Sequence, residues 1–213
     1  MRKKIQEKLD FEIRGSNEIN TFPMIDNFHF PLIGQVVLVT SINRDKIPNV
    51  APKSWISVFA RRPAIVGFGC NINHDTSKNI LSTGEFVINI PGAELANKVW
   101  QASELKGQDS KEIEKIGLTP IKSVKLTTPR IAECKAHLEC SLDWTKKYGE
   151  EIIIFGKVLL ASIDKKALEG TLEDRYKYLK LITYLDDGAY GVIKTVNKID
   201  QSGSDSSITS ANE

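Results

Sequence analysis

Between Glu133 and Leu142 the chain alternates residue by residue. Cys134, Ala136, Leu138, Cys140 and Leu142 fall on one side; Glu133, Lys135, His137, Glu139 and Ser141 fall on the other. A period of two is the signature of a half-buried strand, because successive side chains point to opposite faces. The pattern predicts a strand over residues 131–142, with both cysteines turned into a core and His137 solvated on the polar face.

Further strand candidates surround it. Residues 35–40 are rich in β-branched side chains, and Asn43, Arg44, Asp45 and Lys46 read as a hairpin loop. Residues 47–59 are then the returning strand. Pro48 and Pro52 cannot donate ladder hydrogen bonds, so part of this strand is an edge or a bulge, with backbone groups left free for a ligand. Residues 64–70 read as a buried strand in which Gly67 and Gly69 allow close approach. Residues 85–90 and 151–163 complete the set. Short helices are expected over 75–83, capped by Asp75 or Thr76 and stopped by Gly84, over 94–102 and over 171–180. A capping box from Asp109 to Glu112 opens another, which Gly117 ends. Residues 1–15 suggest a loose helix, followed by extended chain around Phe22 and Phe28 that lays aromatics on a barrel. The sum is mainly β with short helices, a closed or nearly closed barrel. The expected organisation is an N-terminal extension over 1–29, a barrel domain over 30–195, and a polar, disordered tail over 196–213.

Whole-chain properties exclude several classes. The chain has 213 residues, of which 41% are apolar and 26% charged, and a net charge of only +2. Nothing global therefore points to nucleic acid or an anionic membrane, and any basic site must be local. Met1 to Lys4 are basic, but residues 5–10 supply no apolar core for a secretory signal. The best apolar run, Ile152 to Phe155, is interrupted by Lys157, far short of the ~20 residues a membrane helix needs. Three cysteines in no paired pattern fit a reducing compartment, so a cytoplasmic protein is expected.

Candidate chemistry is sparse. His29, His74 and His137 have no serine or cysteine partner in a recognised motif. No zinc-like or EF-hand spacing occurs. Gly67-Phe68-Gly69 lacks the third glycine and the helix of a dinucleotide fingerprint. Residues 76–79 are more informative. A helix start offers unsatisfied N–H groups and partial positive charge; Thr76 and Ser77 add hydroxyls and Lys78 a full charge. These groups suit a phosphate monoester, although the same residue types serve as ordinary N-caps.

Pro31-Leu32, Val37 to Thr40, and Asn49-Val50-Ala51-Pro52-Lys53-Ser54-Trp55 are followed in order by Thr76-Ser77-Lys78-Asn79-Ile80 and Gly84 to Asn89. Later come Ile131 to Cys134, Leu138 to Cys140, and Phe155 to Val158. In order and spacing these segments resemble the flavin reductase-like family, whose fold is the FMN-binding split β-barrel. The resemblance implies non-covalent FMN binding. Asn49, Val50, Ala51, Pro52, Lys53 and Ser54 would run beside the isoalloxazine ring. Ser54, Trp55, Cys70 and Asn71 would line the flavin pocket, with Trp55 equally well placed for core packing. Thr76, Ser77, Lys78 and Asn79 would hold the phosphate. Lys53 departs from the family, where a small or aromatic residue is more usual; it either stabilises reduced flavin or points to solvent. Asn89 reads as a hydrogen bonder at a strand end. The resemblance also implies a homodimer with flavin near the subunit interface. The function implied is an NAD(P)H-dependent flavin reductase passing hydride to flavin N5, with a small-molecule or protein electron acceptor. Two alternatives stay open: a flavoredoxin-like FMN electron carrier that makes no direct use of NAD(P)H, and a barrel that has lost flavin and serves as an interaction module.

Overall fold

The computed structural model describes residues 8–13, 18–23, 34–105, 111–186, 188–197 and 199. Two N-terminal strands, β1 (Lys8–Ile13) and β2 (Glu18–Pro23), pair antiparallel with Lys8 opposite Pro23. Where the loose helix was expected over 1–15, residues 8–13 form a hairpin arm instead and the rest lie outside the described residues. Polar and apolar residues alternate from Lys8 to Ile13, a period of two that suits a strand rather than a helix. The aromatic segment around Phe28 lies outside the described residues.

The body is a seven-stranded antiparallel sheet. Its strands are β3 (Val37–Ile42), β4 (Pro48–Lys53), β5 (Ile56–Arg61), β6 (Ala64–Asn71), β7 (Glu85–Ile90), β10 (Ala136–Tyr148) and β11 (Glu151–Ile163), ordered β4-β3-β7-β10-β11-β6-β5. Two short strands, β8 (Pro120–Ile121) and β9 (Arg130–Ile131), pair separately, as does a late hairpin, β12 (Ile182–Asp186) and β13 (Ala189–Val192). Among the described residues four α-helices decorate the sheet: α1 (Asp75–Thr83), α2 (Ala96–Ser103), α3 (Glu112–Lys115) and α4 (Leu172–Leu179). Asp109 and Ser110, where a capping box was expected, lie outside the described residues.

The strand order forces closure. β4 and β5 occupy opposite ends of the sheet, yet only Ser54 and Trp55 separate them in the chain. Seven flat strands at ordinary spacing would hold those edges about 29 Å apart. Three Cα–Cα steps reach only about 11 Å. The sheet must therefore curl until its edges nearly meet, leaving a slit between β4 and β5. The single returning strand expected over 47–59 is accordingly two strands on the two lips of that slit. Gly69 N donates to Trp55 O at 3.0 Å, which ties the turn to the β5 lip. This is a split barrel, mainly β with short helices.

Two cores result. Val37, Val39, Phe68, Phe86, Ile88, Cys140, Ile152 and Ile154 fill the barrel, with Ile80 of α1 packed among them. Val36, Leu38, Val50, Leu95, Val99, Ile113, Leu118, Ile131 and Cys134 form a second cluster outside it, beneath α2 and α3. Every residue of β3 is buried, because its two faces serve the two cores. Cys134 and Cys140 are both buried but do not share a face: Cys134 precedes β10 in a turn and belongs to the outer cluster. On the outer wall, a Cβ at Gly67 would come within 2.9 Å of the Phe155 ring and 3.0 Å of the Phe59 ring, so glycine there admits aromatic packing.

The polar face of β10 is not wet. The segment from Leu118 to Lys135 folds over it as a strap. His137 is buried; its Nε2–H donates to Ile131 O at 2.9 Å, which leaves Nδ1 to accept from the Ser162 hydroxyl at 3.2 Å. Glu139 is wholly buried and accepts from the amides of Val124 (2.9 Å) and Lys125 (2.6 Å). Glu85 accepts from the Thr128 amide at 2.7 Å, and Asn89 Oδ1 from the Ile131 amide at 2.8 Å. Alternation holds within β10, from Ala136 onward, and not for Cys134 before it; a polar face can be buried when a neighbouring segment satisfies its hydrogen bonds.

Candidate functional site: two clefts along a barrel edge

β4 is the outermost strand of the sheet and pairs only with β3, so one side of its backbone faces a groove. Pro48 and Pro52 sit on this strand because an edge tolerates residues without N–H donors. The start of α1, the face of α2 and the β12–β13 hairpin wall the groove. It divides into two clefts that share Pro52, Lys53 and Ser103.

The smaller cleft, about 420 Å³, runs along Asn49, Ala51 and Lys53 to Asn73, His74, Asp75 and Thr76. His74 is the N-cap of α1, in place of the expected Asp75 or Thr76, with extended geometry (φ −69°, ψ 149°) and no side-chain cap. The first intrahelical bond is Lys78 N to His74 O at 3.1 Å. Among the described residues the amides of Asp75 and Thr76 have no hydrogen-bond partner, as the first turn of a helix dictates, while the Ser77 amide donates to the Cys70 sulfur. Two unpartnered N–H groups at the positive end of a helix dipole make a receptor for an anion. Asp75 adds a carboxylate at its rim. The buried Thr76 hydroxyl contacts Asn49 Oδ1 at 3.4 Å, fixing the helix start against the edge strand.

Lys53 supplies the cation. Its half-buried ammonium has no hydrogen bond or ion pair among the described residues. Burial holds its pKa below the usual lysine value, partly opposed by the nearby Cys70 sulfur. Burial likewise pushes the Cys70 thiol up, which keeps it protonated; it contacts His74 Nδ1 at 3.9 Å. A desolvated, unpaired ammonium in a cleft marks a place for a negatively charged or hydrogen-bond-accepting ligand.

The larger cleft, about 560 Å³, continues from Pro52, Lys53 and Ser54 across α2 to Tyr184 and Tyr190 of the β12–β13 hairpin. Trp100 of α2 stands exposed in its wall.

The thirteen residues singled out from the sequence separate into groups. Asn49, Ala51, Pro52, Lys53, Ser54 and Thr76 line the clefts. Val50 and Cys70 lie in the two cores behind. The Ser77 hydroxyl donates to Asn71 O (2.7 Å) and His74 O (2.8 Å), and Asn79 Nδ2 to Ser41 Oγ (3.2 Å), so both side chains are spent inside the fold. Asn71 is bound up in the same turn through Asn73 N at 2.9 Å. Lys78 is exposed and lines neither cleft. Trp55 is 71% exposed, outside both clefts and outside the core. Asn89, between β3 and the strap, is a structural hydrogen bonder. Trp100, Tyr184 and Tyr190 escaped the sequence reading. The β12–β13 hairpin was not foreseen, and Trp100 fell within the helix expected over 94–102 with no site role; Ala96 and Trp100 both line the cleft.

Comparison with known proteins places this geometry. The flavin reductase like domain family matches residues 31–181. An uncharacterized protein of Pyrococcus abyssi is 35% identical over 133 residues, covering 62% of this chain and 76% of that protein. One of Aquifex aeolicus is 32% identical over 157 residues, covering 71% and 80%. Among solved structures, flavoredoxin of Desulfovibrio vulgaris superposes with a TM-score of 0.73 at 17% identity, covering 84% of this chain and 97% of that one. Nitrilotriacetate monooxygenase component B from Bacillus cereus gives 0.71 at 22%, covering 79% and 88%. An FMN-binding protein from Thermus thermophilus, with bound p-hydroxybenzaldehyde, gives 0.68 at 15%, covering 83% and 95%.

Proposed function

This chain belongs to the flavin reductase-like domain family, and on that premise we propose that it binds FMN in the groove of β4 and works as an NAD(P)H-dependent flavin oxidoreductase. The observation that carries the reading is the donor set of the smaller cleft. The unpartnered amides of Asp75 and Thr76 at the start of α1 suit a phosphate monoester, and the free edge of β4 between Asn49 and Ser54 suits the polar rim of a flat heterocycle. Lys53 is the one lysine or arginine among the described residues that line the groove. FMN held there would supply the redox chemistry between NAD(P)H and a small-molecule or protein acceptor. The chain's own residues bind and orient: α1 anchors the phosphate end, β4 aligns the ring, and Lys53 places positive charge beside it. Placement of this kind is what hydride transfer needs, with reacting atoms about 3–3.5 Å apart.

The working unit in this proposal is a homodimer in the cytoplasm. Trp55 (71%), Val58 (65%) and Phe59 (58%) are left in water on and beside β5, next to Trp144, which stacks on Phe155 at a centroid distance of 4.0 Å. A contiguous apolar surface of this kind marks an interaction site, and a twofold axis would bring two copies together at the lip of the groove. All three cysteines are free, as a reducing compartment would keep them.

The test is anaerobic stopped-flow mixing of FMN-loaded protein with NADH and, separately, NADPH. Flavin bleaching faster than that of free FMN supports the reductase. If neither nucleotide accelerates it, the reductase reading fails and the flavoredoxin-like electron carrier takes its place.

A further inference from the structure

The flavin reading uses the smaller cleft and the β4 edge but leaves the aromatic end of the groove without a role. Trp100, Tyr184 and Tyr190 converge there on a space of about 560 Å³, within the range of small-molecule sites. Its apolar floor is firm: Val36 and Ile182 are buried and joined by a Val36 N to Ile182 O bond of 2.8 Å. Bridges from Gln35 to Thr183 and from Gly92 to Leu181 hold the base of the hairpin that carries the tyrosines. Large exposed aromatic rings facing one another across a concave surface are what a flat apolar ligand stacks on. The charge count narrows the ligand further. Lys53 alone among the lining residues is charged, and its ammonium is unpaired among the described residues. One cation complements one anionic group; a ligand with several phosphates would bring charge that this end of the groove does not answer.

We propose that this cleft is a second ligand site, adjoining the flavin site along Pro52 and Lys53, and that it takes a planar aromatic molecule bearing a single carboxylate-type group. The rings of Trp100, Tyr184 and Tyr190 receive the aromatic body, and Lys53 receives the anion. The inference rests on the flavin reading for the identity of the neighbouring site.

The test is calorimetric titration of the full-length chain with 2-naphthoate and with its uncharged analogue 2-naphthamide, each with and without saturating FMN. Naphthoate is expected to bind about tenfold more tightly than naphthamide, the margin of one charge-assisted hydrogen bond. Lys53→Met should erase that margin. Trp100→Ala and Tyr184→Ala should weaken both probes while leaving FMN affinity unchanged. Saturating FMN should leave naphthoate bound. Equal affinity for the two probes, or binding of neither, overturns the proposal. Competition between FMN and naphthoate also overturns it, by showing that the flavin ring fills the aromatic cleft, and it leaves the flavin reading standing. Uptake of naphthoate by a chain that takes no FMN has the opposite meaning: the flavin reading fails and the aromatic site survives.

Discussion

Replacing Asp75 by proline would remove one unpartnered amide from the start of α1 and little else. Asp75 is the first helical residue, where the N–H has no intrahelical acceptor, so the helix loses no bond. Proline is favoured at that position, and the residue before it must be extended, as His74 already is at ψ 149°. Asp75→Ala is the reference, because both variants lose the carboxylate and only proline loses the donor. A hydrogen bond to a charged phosphate contributes about 1.5–3 kcal/mol. Asp75→Pro should therefore bind FMN roughly 10- to 150-fold more weakly than Asp75→Ala. Riboflavin, which lacks the phosphate, should bind the two variants equally. The measurement is quenching of flavin fluorescence on titration into apoprotein, beside a thermal melt to show that both variants fold. Lys78→Ala is a second control: its exposed ammonium lines neither cleft, so its loss should change FMN binding by no more than about 1 kcal/mol. Equal losses for FMN and riboflavin, or no loss for FMN, would refute the placement of the phosphate at this helix.

Burial, assisted by nearby Arg130, holds the His137 imidazole below its ordinary 6.5, against an opposing hydrogen bond to Ile131. As pH falls below 6.5 the unfolded chain therefore takes up the proton first, so stability is complete above that pH and declines below it; urea melts from pH 8 to 5 should show this slope, and it should shrink in His137→Gln. Glu139→Gln should cost about 1–3 kcal/mol, because one of two strap amides then faces an NH2 group; the flavin spectrum of the folded variant should not change, and a melt matching wild type would sink the strap argument. Phe59→Glu should convert the proposed dimer to a monomer by light scattering, since it places a charge in the exposed apolar surface beside β5; a wild type that is already monomeric, or a dimer mass unchanged in the variant, would refute this interface.

The local elements were largely legible in the sequence. The bounds read for the β7 and β11 strands and the α1 helix match Glu85–Ile90, Glu151–Ile163 and Asp75–Thr83. Each carries unambiguous periodicity between a turn and a stop, and Gly84 does end α1 with a left-handed φ of 75°. What escaped was non-local. Ser54 and Trp55 interrupt a continuous β-forming stretch, and only the closing of the barrel places Pro48–Lys53 and Ile56–Arg61 on opposite lips. The solvated role read for His137 failed for a different reason: the strap that covers it is the chain just before β10, which turns back over that strand's polar face, and alternation running on through Glu133 and Cys134 concealed the turn. At the site, residue type was informative but direction was not. Ser77, Lys78 and Asn79 have the chemistry of a phosphate ligand, yet the helix turns two of them inward and one out to solvent. Lys53, read as ambiguous, has its direction fixed by the edge strand.

The central claim is that the groove along β4 is a flavin site whose phosphate end is the start of α1. Its most direct test is the flavin content of the purified chain, before and after incubation with FMN and gel filtration. The account predicts yellow protein carrying one FMN per chain, released on denaturation and identified as the monophosphate. Protein that stays colourless after incubation with FMN, and with FAD, would contradict it.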